Sequence, residues 1–355
     1  MEAPYILIST ISPEKGKKID AFDKHTKYVS KVFAPTDFSK TLFEYAEYFF
    51  EAAHKITEFI LSAEHPDIGK LDTYFFSIAF LYRHCMELGL KAIGFQSIQE
   101  KDQRKKFVKD TRHNLSVILS VIEEKASSTR PEEEMEWLRK YFTDLSQKDR
   151  ESDSFRYPFH IVWEPGDWEC EGKFSIKKIF NEQTDLGNSD YNERLFLPMC
   201  YLYRNCVELS LKTIWFEEIG EDFQTKCKLM LDNKHSIAGM WKKIKPYVLE
   251  YSSGTDEPAY IEVIEDYCMQ VHTIDGDANK FRYPMSNGMQ EYFSLNKRFD
   301  FMETGDFFEA LNNILDGIDS ELNYMNEVRA EMEAEYRAEM EAEYYAEMMS
   351  NMDYY

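Results

Sequence analysis

The segment LYRHCMELGLKAIGF, residues 81–95, returns as LYRNCVELSLKTIWF, residues 202–216, identical at ten of fifteen positions. Both copies carry Arg, then Glu four residues on, then Lys four more: Arg83, Glu87, Lys91 and Arg204, Glu208, Lys212. At 3.6 residues per turn these spacings form one slowly drifting polar stripe. The rest of each segment is mostly apolar, so each reads as a central helix buried on most sides.

The repetition extends outward. Ahead of the first copy, Leu42, Phe43, Tyr45, Ala46, Phe49, Phe50, Ala53, Ile56 and Ile60 recur at three and four, an amphipathic helix ended by Pro66 and Gly69. A charged connector, QEKDQRKKFVKDTR, leads to His113 and a third helix through about Lys125. Pro131 followed by Glu132, Glu133 and Glu134 starts a fourth helix. The second half repeats this order through His235. Met135, Leu138, Tyr141, Leu145, Asp149 and Phe155 each find their match 126 residues on, while Arg83 to Arg204 is 121 and His113 to His235 is 122. A constant offset within a helix and small jumps at loops mark a duplicated helical domain. Pro198, inside the second central helix, predicts a kink or a late helix start.

Each half also ends in the same corner, Phe155-Arg156-Tyr157-Pro158 and Phe281-Arg282-Tyr283-Pro284. Short hairpins are predicted after both corners, in IVWEPGDWECEGKFSI and SNGMQEYFSL. The expected architecture is all-α: a lead-in over 1–37, bundles of four to five helices over 38–185 and 186–325, and an acidic tail over 326–355. In that tail RAEMEAEY occurs twice in succession. Its apolar residues alternate with a strand period, yet Ala, Glu and Met favour a helix, and a solvated helix is expected.

At 355 residues the chain can build two or three cores, and 43% apolar content excludes wholesale disorder. A net charge of -23 argues against non-specific adhesion to nucleic acid or anionic membrane, although a local basic groove stays open. Six cysteines show no metal-ligand cadence, and Cys85 and Cys206 read as small buried hydrophobes. Reduced thiols fit a cytoplasmic location. MEAPYILISTIS lacks a basic n-region, so no signal peptide is expected, and no uncharged apolar stretch is long enough to span a membrane. No Walker loop, dinucleotide fingerprint, His-Glu-x-x-His or nucleophile elbow occurs, and neither a cofactor nor a metal is expected.

The candidate chemistry therefore rests on Arg83, Glu87, Lys91, His113 and Arg156, matched by Arg204, Glu208, Lys212, His235 and Arg282. A functional reading has Arg and Lys holding a phosphate while His moves a proton, with Tyr157 or Tyr283 stacking on a base. A structural reading has an Arg-Glu-Lys network tying the helices to the Phe-Arg-Tyr-Pro corner, because a buried ion must be paired.

An Arg-His/Asn-x-x-Glu helix, a later His before the next helix and a Phe-Arg-Tyr-Pro corner resemble the HEPN superfamily, the higher eukaryotes and prokaryotes nucleotide-binding domains. The resemblance covers about residues 40 to 165 and 186 to 325. It implies compact helical bundles, and many members are metal-independent ribonucleases of toxin-antitoxin, abortive-infection and CRISPR-linked systems, while others are non-catalytic binding modules. Arg83-His84 and Arg204-Asn205 match the start of the family's ribonuclease motif. The positions of its His hold Leu88, Gly89 and Leu90 in one copy and Leu209, Ser210 and Leu211 in the other.

The resemblance thus implies either an RNA-directed effector of a defence or stress system or a non-catalytic module that recognises a partner protein or nucleotide. Family ribonucleases work as dimers, so the chain is expected to contain its own dimer, with Arg83 near Arg204. In that arrangement the two arginines either hold phosphate or are closed by Glu87 and Glu208. Further homo-oligomerisation stays open, and no membrane partner is expected.

Overall fold

The computed structural model describes residues 11–23, 25–62, 68–125, 131–149, 189–251, 259–293 and 297–352, with the single positions 152, 155 and 180. Within them the chain is mainly helical. The first repeat supplies α1 (Phe38–Leu61), α2 (Ile68–Ser97), α3 (Lys101–Thr111), α4 (Leu115–Lys125) and α5 (Glu132–Lys148). The second supplies α6 (Ser189–Thr213), a π-helical turn (Ile214–Glu218), α7 (Phe223–Asn233), α8 (Ile237–Tyr251), α9 (Ala259–Asp275) and α10 (Phe301–Met352).

Helix α1 starts where Asp37 accepts hydrogen bonds from the Ser39 and Lys40 amides, satisfying donors that a helix leaves open at its first turn. Its apolar stripe faces α2, and the two run antiparallel. Ser39 Oγ at the head of α1 donates to the Ala92 carbonyl near the foot of α2, at 2.9 Å. The central helix α6 instead lies parallel to α10. Phe196 stacks on Phe299 at 4.8 Å, Tyr203 on Phe308 at 5.8 Å, and Asn326 Nδ2 donates to the Glu218 carbonyl at 2.9 Å.

Several expectations are corrected. The charged connector after Phe95 is a helix, α3, and α7 is its counterpart; Phe107 and Thr111 of α3 are buried, and a single apolar anchor escapes a periodicity search. A Cβ on Gly94 would lie 2.6 Å from the Phe107 ring, so the bare glycine admits the close approach of α3. Helix α6 runs from Ser189 straight through Pro198, so proline does not mark its start. Cys206 is exposed and Cys85 half-buried, rather than both buried. Burial pushes the Cys85 thiol up to about 12, which keeps it protonated.

The lead-in is not a separate element. Val29–Val32 forms β1, antiparallel to β2 (Lys297–Asp300), with Val29 opposite Asp300. Glu14 N donates to Tyr267 Oη at 3.0 Å, Ile19 N to Gln270 Oε1 at 3.0 Å, and Asn313 Nδ2 to the Ile11 carbonyl at 2.9 Å. The chain's start is thereby stitched onto the second bundle, because backbone polar groups withdrawn from water must find partners. Of the two expected hairpins, the second is a tight turn closed by one bridge between Met285 and Glu291, and the first lies outside the described residues. No described helix is long and apolar enough to cross a membrane.

Candidate functional site

A buried charge cluster occurs twice, once around each central helix. Each begins with an arginine four residues before a glutamate, one turn apart on the same face. Arg83 Nη1 donates to Glu87 Oε2 at 2.8 Å, and its Nε pairs with Asp149 Oδ2 at 2.8 Å. Its Nη2 donates to the carbonyls of His113 and Asp149. One turn later, Lys91 Nζ donates to Glu87 Oε1 at 2.6 Å, and His113 Nδ1 donates to the same oxygen at 3.0 Å.

The second cluster repeats this residue for residue. Arg204 donates to Glu208, to the His235 carbonyl and, at 3.2 Å, to the Asp275 carbonyl, with Asp275 Oδ2 3.8 Å from its Nε. Lys212 Nζ and His235 Nδ1 donate to Glu208 Oε1 at 2.6 and 2.9 Å.

Local backbone places the two histidines. Arg112 and Lys234, each immediately before its histidine, sit at φ 46° and φ 49°, a region side chains other than glycine's avoid. The turn they make swings His113 and His235 back toward the glutamates while Asn114 and Ser236 cap α4 and α8. The guanidinium groups are inaccessible, Arg83 at 1% and Arg204 at 0% exposure, whereas the His113 and His235 side chains keep 30% and 34%.

The electrostatics follow from this packing. Burial opposes ionisation of Glu87, but Lys91, His113 and Arg83 overcome it and hold the carboxyl well below the usual range. Glu208 is held down likewise against its burial, by the His235 hydrogen bond and by Arg204 and Lys212. His84, buried beside them, is pushed well below 6.5 by desolvation.

The first cluster is completed from the second repeat. Tyr283 Oη donates to Glu87 Oε1 at 2.9 Å and lies 3.2 Å from His113 Nδ1. Lys91 Nζ and the Arg282 guanidinium each sit 5.2 Å from the Tyr283 ring centroid, a cation–π arrangement. His84 Nε2 donates to the Arg282 carbonyl at 3.2 Å, and its ring stands edge-on to Tyr283 at 5.0 Å. Arg282 is itself buried and donates to the Ala278 carbonyl at 2.7 Å and Asn279 Oδ1 at 2.9 Å.

The expected site residues therefore assemble as two sets, with Arg282 and Tyr283 joining the first; Arg156 and Tyr157 lie outside the described residues. Sequence reasoning passed over Asp149 and Asp275 as site members. Their signal was present, since they are repeat partners at the offset of 126 and a buried arginine needs a second carboxylate. Among the described residues no group of three or more His, Cys, Asp or Glu side chains suits a metal ion. Comparison with family models, with curated proteins and with solved structures gives no match.

Proposed function

We propose that the chain is a HEPN-like protein of two tandem bundles that acts by binding a partner protein, its Arg-Glu-Lys-His constellations holding the bundles in register. The observation that carries this reading is the enclosure of Arg83 and Arg204. Each is buried and already faces two carboxylates, Glu87 with Asp149 and Glu208 with Asp275. A phosphate would have to displace a buried, charge-balanced carboxylate, and leaving that ion unpaired costs about 3–5 kcal/mol. The missing His of the family's ribonuclease motif points the same way.

A second reading, an RNA-directed endoribonuclease, is favoured by one feature. Glu87 fixes His113 through Nδ1, which leaves Nε2 of a partly exposed ring to accept a proton, with the Tyr283 hydroxyl alongside. The test incubates the chain with total RNA and with tRNA, beside a His113→Ala, His235→Ala double variant. Intact RNA with both proteins supports the binding module. Cleavage by the native chain that disappears in a folded double variant overturns it in favour of the second reading.

A further inference from the structure

Beyond Arg329, which pairs with Glu250 of α8 at 3.7 Å, every residue of α10 with an assigned burial class through Met349 is exposed. Residues 327–352 hold eight Glu against two Arg, a net charge of -6. The segment spans about 39 Å at the rise of an α-helix. Along it Met332 is 59% exposed, Tyr336 63%, Met340 50% and Tyr344 64%. Spaced four apart, these side chains share one helix face, an apolar stripe that a partner surface can cover.

The complementary surface lies at the root of the same helix. From Phe223 to Tyr251, covering α7 and α8, there are six Lys against Asp232 and Glu250, a net charge of +4 in a chain of -23. Lys228, Lys234, Lys242 and Lys243 are exposed, Leu231 is 56% exposed, and α7 has no buried residue at all. The π-helical turn ties this surface to the base of the tail. Trp215 Nε1 donates to the Lys226 carbonyl of α7 at 3.3 Å, and its ring meets Tyr247 of α8 edge-on at 6.0 Å. Glu218, at the end of that turn, accepts from Asn326.

A continuous helix leading outward from this root does not cover the lysines of its own chain. A second copy can, and the arrangement closes on itself. We propose that two copies of the chain associate by reciprocal exchange, each laying its acidic Met/Tyr helix across the α7–α8 lysine face of the other. Because tail and face share one end of the molecule, a single two-fold axis satisfies both contacts, as an isologous dimer requires. Basic α3, its repeat counterpart, offers the tail an alternative lysine face on the first repeat, and the variants below separate the two.

Sedimentation velocity on the full chain and on full-length surface variants, at low and high salt, tests this. The native chain is expected at twice 42.1 kDa in low salt, moving toward monomer as salt screens the contact. Lys228→Glu, Lys242→Glu, Lys243→Glu together should give monomer, as should Glu331→Lys, Glu335→Lys, Glu339→Lys, Glu343→Lys together. Mixing those two proteins should restore the dimer, since each then offers the other a complementary tail and face. Met332→Ser with Met340→Ser should weaken association without changing the charge. A native chain that stays monomeric overturns the proposal. So does a dimer indifferent to the α7–α8 lysines, or one abolished by Lys105→Glu, Lys106→Glu, Lys109→Glu on α3.

Discussion

Phe80 and Tyr201 occupy equivalent places in the two repeats, 121 residues apart, and their rings stack on each other at 4.7 Å with an interplanar angle of 24°. The stack brings the two central helices together three residues before their arginines, Arg83 and Arg204. Phe49 of α1 adds a tilted contact to Tyr201 at 6.2 Å and an edge contact to His84 at 4.6 Å. Each arginine nonetheless spends its donors inside its own bundle. What crosses between the repeats includes aromatic packing, the hydrogen bonds of Tyr283 and His84, and the Arg194–Glu51 pair at 3.4 Å.

Tyr283→Phe isolates one of those bridges. It removes the hydroxyl that donates to Glu87 while keeping the ring beneath Lys91 and Arg282. A hydrogen bond to a buried carboxylate contributes about 1.5–3 kcal/mol. Urea unfolding should show a loss of that size, with Tyr283→Ala costing more because the aromatic contacts go too. A Phe variant as stable as the native chain would mean that the bridge between repeats is idle.

The pH dependence has two limbs with one sign. His84 is neutral in the fold, its pKa lowered below 6.5 by burial, so the unfolded chain binds more protons as pH falls. Its contribution is complete above pH 6.5 and is lost as pH falls below it. Glu87 and Glu208 sit well below 4.5 in the fold, so their contribution is complete above 4.5 and is lost as acid protonates them. Stability measured from pH 7.5 to 3 should decline in both stages. In His84→Gln the first stage should vanish and the second persist; a first stage that survives would assign it to another group.

Much of this was legible because a repeat exposes its own constraints. Arg83, Glu87, Lys91 and His113 recur with their spacing intact, and spacing on one helix plus one loop histidine suffices to build the cluster. Tyr283 entering the first cluster was not legible, since its sequence position associates it with the second. Nor was the attachment of residues 11–32 to α9, α10 and β2, which depends on strand pairing and on side-chain-to-backbone hydrogen bonds across some 250 to 300 positions and leaves no local period. The π-helical turn follows Thr213 where the first repeat has the small residues Ala92 and Gly94, a difference of packing rather than of polarity pattern.

The turns before the two histidines store strain that glycine should release. Arg112 at φ 46° and Lys234 at φ 49° hold conformations costing about 1–3 kcal/mol for a residue with a Cβ. Glycine removes that cost but adds roughly 0.5–1 kcal/mol of unfolded-state entropy. Arg112→Gly and Lys234→Gly should each therefore stabilise the chain by about 1 kcal/mol in thermal or urea unfolding. The gain should be similar at both sites, since the geometry is. Destabilisation at both would show that the side chains, not the backbone turn, anchor these loops.

The acidic end of α10 should be dispensable for folding while serving association. After Asn326, whose amide binds the Glu218 carbonyl and carboxylate, every described residue with an assigned burial class through Met349 is exposed or half-exposed, so none supplies core. A chain ending at 326 loses only surface contacts such as the Arg329–Glu250 pair at 3.7 Å, and pairs between exposed side chains contribute about 0–1 kcal/mol. Measured in high salt, where contacts between oppositely charged copies are screened, its thermal midpoint should match that of the full chain. A drop of more than about 5 °C, roughly 1 kcal/mol or more, would show that the helix packs on the bundles after all. A difference confined to low salt and rising with protein concentration is instead what a contact between copies produces.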